Sequence, residues 1–295
     1  MSPRILSQAH YSTGKGENSQ CDNAILRTIK GKKRLFLTMA WKKNMASLQE
    51  VPTISEGGGI RYLHFGTEWV QGAMWVSKPA ELVLEYTAQM MAWLLFLAPP
   101  RQHAIGMLGL GAGSLARFCL KHTTSKLRVV EWNPLVTSAC QLYFKLPRPN
   151  RMLIEHLDAG AWVADAHNHE SCEVLMVDLY DGEAAGPVRD SLEFYQQCHS
   201  VLGEVGIVTV NLFGAHASFE KNIRRLSEAF GGRLLSLPQI DAGNQVVLAF
   251  KGPPIEVTIE QLLTRAEVVD SQFGLPAKKW VRSMHGRSKN GILIV

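Results

Sequence analysis

The chain has 295 residues, 46% of them hydrophobic and 19% charged, with a formal net charge of +5. Those proportions exclude a disordered, low-complexity or collagen-like chain, and the longest apolar run, Met90–Pro100, is too short to cross a bilayer. The charge is lopsided: residues 1–50 carry nine Lys/Arg against three acids, a net of +6, leaving −1 for the remainder.

In chain order, residues 1–50 show little periodicity and predict a basic, poorly ordered tail with one short strand at Arg34–Thr38. The basic excess therefore belongs to a solvated tail and not to a folded nucleic-acid-binding surface. No secretory signal pattern occurs there, and five cysteines without a CxxC pair fit reduced thiols. The cytoplasm is the expected compartment. Residues 51–100 predict a β-hairpin region, with Arg61–Phe65 and Trp69–Trp75 alternating around Gly66, then a buried linking helix over Glu81–Leu97.

Residues 101–253 predict the main domain. Its strands are expected at Ala104–Leu108, Leu127–Glu131, Met152–His156, Val174–Asp178, Gly206–Leu212, Arg233–Leu237 and Gln245–Phe250. Helices are expected between them at Ser114–His122, Pro134–Lys145, Ala159–His167, Val188–Leu202 and Ser218–Phe230. Short strands separated by helices specify βαβ units in an α/β fold: a seven-stranded, mostly parallel sheet with one antiparallel edge strand, after a small β-rich N-terminal region. Residues 254–295 predict a helix at Thr258–Asp270 and an exposed basic tail over Lys278–Lys289.

Directly after the first core strand comes Gly109-Leu110-Gly111-Ala112-Gly113, opening the next helix. Such a turn brings a ligand against the backbone and a helix N-terminus, although it also serves as a plain strand-to-helix link. Glu131 ends the next strand, where a carboxylate can take both hydroxyls of a ribose. The strict GxGxxG of dinucleotide enzymes fails at Ser114-Leu115. A glycine turn, Glu131 and a third acid, Asp158, after the third strand favour an S-adenosylmethionine-type nucleoside, with Asp158 accepting from the adenine amino group. Surface acids at strand ends remain the bland alternative for Glu131 and Asp158. Trp132, next to Glu131, is the expected adenine neighbour, while Trp93 and Tyr195 read as packing residues.

Asp178 follows the fourth strand in Val177-Asp178-Leu179-Tyr180-Asp181-Gly182. Ligands of open α/β sheets bind beyond the carboxyl ends of the strands. Asp178 is therefore placed to attract a protonated amine, take its proton and orient the nitrogen toward a sulfonium-bound carbon. A loop-capping role is the alternative. Asp165, His167, His169, Glu170 and Cys172 read as a solvated connection, with no metal site expected.

From about Tyr62 to Phe250 the chain resembles the spermidine synthase family, the aminopropyltransferase branch of the Rossmann-like methyltransferase fold. The resemblance rests on the glycine turn, Val130-Glu131, Leu157-Asp158-Ala159, Val177–Asp181 with Gly186-Pro187, Glu193-Phe194-Tyr195 and Gly206–Gly214, together with Gln71 in the preceding hairpin. It implies that Gly109, Gly111, Gly113, Glu131, Trp132, Asp158 and Ala159 bind the nucleoside. It implies further that Asp178 is the catalytic acid–base group, and that Asp181, Tyr180 and Gln71 contact substrate. The implied reaction moves an aminopropyl group from decarboxylated S-adenosylmethionine to a diamine or polyamine. The donor is then a co-substrate with no permanent cofactor, and a homodimer is implied by the same analogy; neither nucleic acid nor membrane is an expected partner.

Three departures mark a divergent member. The family's GGGDGG turn has Ala112 in place of its Asp. Its DExxYHE segment aligns with Pro79–Glu85, where only Glu85 matches and Val83 and Leu84 replace the Tyr and His. Its DSxDP loop reads DLYDG. Methyl transfer from S-adenosylmethionine to a small molecule, and a non-catalytic nucleoside-binding role, stand as the alternatives.

Overall fold

The computed structural model describes residues 51–180, 188–214 and 216–295. The basic segment 1–50, with its expected strand, and Asp181, Gly186 and Pro187 lie outside the described residues.

A three-stranded antiparallel sheet opens the described chain: β1 (Thr53–Gly57), β2 (Ile60–His64) and β3 (Gly72–Trp75). The sequence predicts only the second pair. The first hairpin turns through Gly58 and Gly59, both at positive φ, the conformation a two-residue type I′ turn demands. The strand expected from Trp69 begins at Gly72, because residues 65–71 form the connection.

The apolar run 81–97 is not one helix. It forms a single turn and a half, α1 (Glu85–Gln89), then a 3-10 turn over Ala92–Leu95. Every side chain from Met90 to Leu95 is buried, so the run has no solvent face to keep an amphipathic helix in register.

The main sheet contains β4 (Ala104–Leu108), β5 (Lys126–Val130), β6 (Met152–Glu155), β7 (Cys172–Val177), β8 (Leu202–Phe213), β9 (Leu234–Ser236) and β10 (Asn244–Lys251). Their order is β6-β5-β4-β7-β8-β10-β9, with β10 antiparallel to both neighbours. The antiparallel strand thus lies one place in from the edge. Between the strands run α2 (Ser114–His122), α3 (Pro134–Tyr143), α4 (Ala159–Ala164), α5 (Leu192–Val201) and α6 (Phe219–Ala229). Helix α5 starts at Leu192 and not at Val188, because the Ser191 side chain caps it by accepting from Phe194 N–H at 3.0 Å.

Alternate residues of the central strands feed two cores. Ile105, Met107, Val174 and Met176 point to one face, and Ala104, Leu108, Leu175 and Val177 to the other. The first face is covered by the C-terminal segment: β11 (Glu256–Thr258), α7 (Ile259–Phe273), α8 (Ala277–Met284) and β12 (Ile292–Ile294). The expected basic tail is therefore folded. Trp280, Val281 and Met284 enter the core, while Lys278, Lys279 and Arg282 face outward from the same helix. No helix among the described residues is long and apolar enough to cross a membrane.

Candidate active site

Two adjoining cavities lie at the carboxyl ends of the parallel strands, sharing Gly109 in their walls. Gly109 has φ +92°, and a Cβ there would come 2.2 Å from the Asp178 carbonyl oxygen. Only glycine lets β4 turn away this close to β7. The turn continues through Gly111 and Gly113, both also at positive φ, and Gly113 is the N-cap of α2.

The turn is clamped from three sides. Gly72 of β3 lies against it so closely that a Cβ there would fall 2.6 Å from the Ala112 Cβ, and Ala112 is buried with Leu63, Met74 and Phe144. The Ser114 hydroxyl donates to the Ala73 carbonyl at 2.9 Å. Arg117, buried beneath the turn, donates to the carbonyls of Ala112, Phe144 and Pro79. Burial pulls its guanidinium down to about 10.

The first cavity holds the sequence-predicted nucleoside residues Gly109, Glu131, Trp132, Asp158 and Ala159. Glu131 is buried, and its two oxygens accept from Leu110 N–H at 3.1 Å and Asn133 N–H at 2.9 Å. Burial pushes its carboxyl above the ordinary value, and those two hydrogen bonds oppose the rise. An ionised carboxylate offers about four lone-pair sites. Two remain here, enough for the paired hydroxyls of a ribose. Asp158 caps α4, its Oδ1 accepting from Ala161 N–H at 3.0 Å, and its Oδ2 receives Arg189 Nη2 at 2.6 Å. Partial desolvation opposes the change, but the hydrogen bonds from Arg189 and Ala161 hold this carboxyl below its usual range.

The second cavity brings together Gln71, Tyr86, the glycine turn and Asp178. Asp178 is partly buried, and no cation is hydrogen-bonded to it among the described residues. Its Oδ1 accepts from Asn211 Nδ2 at 2.9 Å, and its Oδ2 from the Tyr86 hydroxyl at 3.2 Å. Asn211 is oriented in turn by the Asn244 amide, which donates to Asn211 Oδ1 at 3.1 Å. Burial raises the Asp178 carboxyl above the usual carboxylate value, while Asn211 and Tyr86 moderate the shift. Burial and the Asp178 charge push the Tyr86 phenol well above its ordinary value, so it remains a donor.

Not every expected residue joins the site. Tyr180 donates its hydroxyl to the Asn211 carbonyl at 3.1 Å and does not line either of these two cavities. Glu85, the match to the family's mouth segment, pairs with Lys279 at 2.8 Å on the exposed surface. The next residue, Tyr86, brings a phenol to Asp178 although Val83 stands where the family's segment has its Tyr. Tyr86 and Asn211 are the functional residues that sequence reasoning missed. Each carried a signal: the one phenol in the apolar run 81–97, and an amide inside the buried strand Val208–Leu212, both of which need a partner. No group of three His, Cys, Asp or Glu side chains converges as metal ligands among the described residues.

No model of a known protein family matches the chain. A probable spermidine synthase from Corynebacterium glutamicum superposes with a TM-score of 0.58 at 17% identity, over 78% of this chain and 88% of that one. Human methyltransferase-like protein 13 in complex with SAH gives 0.58 at 21% identity, over 66% and 94% respectively. At such identities these likenesses establish the fold, the Rossmann-like one common to both proteins. The sequence adds more: a polyamine aminopropyltransferase from Neisseria meningitidis is 34% identical over 239 residues, spanning 80% of this chain and 90% of that protein. By that extent and level of identity, the chain belongs to the polyamine aminopropyltransferase family.

Proposed function

We propose that the chain transfers the aminopropyl group of decarboxylated S-adenosylmethionine to the amine of a diamine or polyamine. The observation that carries this is Asp178. It is a carboxylate fixed by two neutral donors, Tyr86 and Asn211, in a cavity that shares the glycine turn with the nucleoside cavity. Glu131 takes the ribose hydroxyls, Asp158 and Trp132 flank the base, and the sulfonium faces Asp178.

The acceptor arrives as an ammonium, since an unperturbed amine titrates at about 10. Asp178 attracts it, takes one proton and leaves the nitrogen lone pair aimed at the methylene carbon next to sulfur. The C–N bond forms as the C–S bond breaks, and its electron pair neutralises the sulfonium as methylthioadenosine. Tyr86 and Asn211 hold both carboxylate oxygens in place and oppose the rise that burial imposes on the Asp178 carboxyl. Asp181 sits outside the described residues, and its expected hold on the amine is part of the same proposal. Four buried free thiols, Cys119, Cys140, Cys172 and Cys198, fit a reducing compartment such as the cytoplasm. A homodimer is included by analogy, to be read from light scattering.

One observation favours a second reading, methyl transfer. Ala112 is buried against Gly72, so Asp178 is the single acid among the described residues lining the second cavity. The test is to incubate the protein with each donor and a diamine. Aminopropyl transfer yields methylthioadenosine and a lengthened amine from the decarboxylated donor. Formation of S-adenosylhomocysteine from the carboxylated donor, without methylthioadenosine from the other, would establish methyl transfer instead.

A further inference from the structure

Among the described residues, the nucleoside cavity has one cationic side chain in its wall, Arg189. Its neighbours there are largely apolar, among them Trp132, Leu157, Leu179 and Val188. The guanidinium is held by an ion pair. Nη2 donates to Asp158 Oδ2 at 2.6 Å. Gly160, in the first turn of α4, lies beside it: a Cβ at that position would sit 3.4 Å from Arg189 Cζ and 3.5 Å from its Nε, an ordinary contact. The side chain is nevertheless 47% exposed, so it is anchored at one edge and free to meet a ligand at another.

A purine entering such a cavity presents an electron-rich π face to an apolar wall containing one planar cation. Guanidinium is more weakly hydrated than ammonium and stacks on aromatic faces, a contact that strengthens when water is excluded. Resting on the nucleoside assignment above, we infer that Arg189 is a nucleoside-binding residue whose guanidinium packs on the purine of the donor, with Asp158 fixing its position. Asp158 then has two duties. Three of its roughly four lone-pair sites hold Ala161 N–H, Gly160 N–H and Arg189, and the fourth remains open to the adenine amino group. Purine recognition becomes a property of the Asp158–Arg189 pair and not of the acid alone.

Calorimetric titration of methylthioadenosine into wild type, Arg189→Ala and Arg189→Lys tests this, with the thermal midpoint of each protein measured alongside. Half-exposed ion pairs add little to stability, so the variants keep the wild-type midpoint. Arg189→Ala is expected to bind methylthioadenosine about fivefold to thirtyfold more weakly, the range for a cation–π contact that loses much of its water. Arg189→Lys recovers part of the loss, because it keeps the charge without the plane. In turnover the defect appears as a raised KM for the donor with kcat nearly unchanged, since Asp178 works in the other cavity. Affinity in Arg189→Ala within about twofold of wild type overturns the inference. So does a loss of affinity that tracks a falling midpoint, which would make Arg189 a structural support. Failure of wild type itself to bind methylthioadenosine would overturn the nucleoside assignment, and this inference with it.

Discussion

At the residue scale, the proposed chemistry depends on one carboxylate, Asp178, and the two donors that hold it. Asp178→Asn keeps the shape and removes the proton acceptor, so kcat should fall by about 10²–10⁴-fold. Methylthioadenosine affinity should stay near wild type, because the proposal binds ribose and base in the neighbouring cavity; a parallel collapse of affinity in calorimetry would contradict that division. Tyr86→Phe tests the electrostatics. Burial already raises the Asp178 pKa, and Tyr86 is one of the two donors that lower it. Without the phenol the carboxyl rises further, and the base form is lost at a higher pH as the solution is acidified. The acidic limb of the kcat/KM profile should therefore move to higher pH, whereas an unmoved limb would show that Asp178 does not govern it. Glu131, Asp158 and Asp178 were legible in the sequence because each follows a core strand, where the backbone alone delivers a side chain to the crevice. Tyr86 and Asn211 signalled only that each needs a partner, and Arg189 gave no signal. Their roles arise from contacts with residues 92, 33 and 31 positions away, and no local pattern encodes such distances.

At the element scale, helices α4, α7 and α8 carry consequences that can be measured. Asp158 caps α4, so Asp158→Ala should cost about 1 kcal/mol of stability, as N-cap losses do. The half-exposed pair with Arg189 adds less than about 1 kcal/mol more. The folded carboxyl lies below its unfolded value, about 3.9; its contribution is present above that pH and fades as pH falls through the lowered folded value. Denaturant midpoints of wild type and Asp158→Ala should accordingly converge in acid, and a constant gap would assign the effect to packing. The C-terminal helices were half legible. The Thr258 capping box and the Gly274 terminus of α7 are sequence signals. Helix α8 was hidden behind its basic residues, although Trp280, Val281 and Met284 recur at helical spacing. Because Trp280 is only 3% exposed, Trp280→Ala should lower stability by about 3–5 kcal/mol in chemical denaturation. A change under about 1 kcal/mol, ordinary for surface positions, would mean that α8 is not part of the core.

At the scale of the whole molecule, the parallel sheet places the ends of β6, β5, β4 and β7 side by side, and the loops leaving those four ends line the two cavities. The mostly parallel, seven-stranded sheet was readable from the alternation of short apolar strands with helices; the order of its strands was not. The breakdown of the 81–97 helix was not, because a fully buried segment has no polar face from which a period can be read. The small leading sheet completes the second cavity by laying Gln71 and Gly72 over the glycine turn. The most direct single measurement is a crystal structure with methylthioadenosine bound. Its ribose hydroxyls should lie within hydrogen-bonding distance of Glu131, with the base beside Trp132 and Asp158 and the sulfur turned toward Asp178. A nucleoside bound elsewhere, or one whose sulfur points away from Asp178, would contradict the assignment of this crevice as the site of transfer.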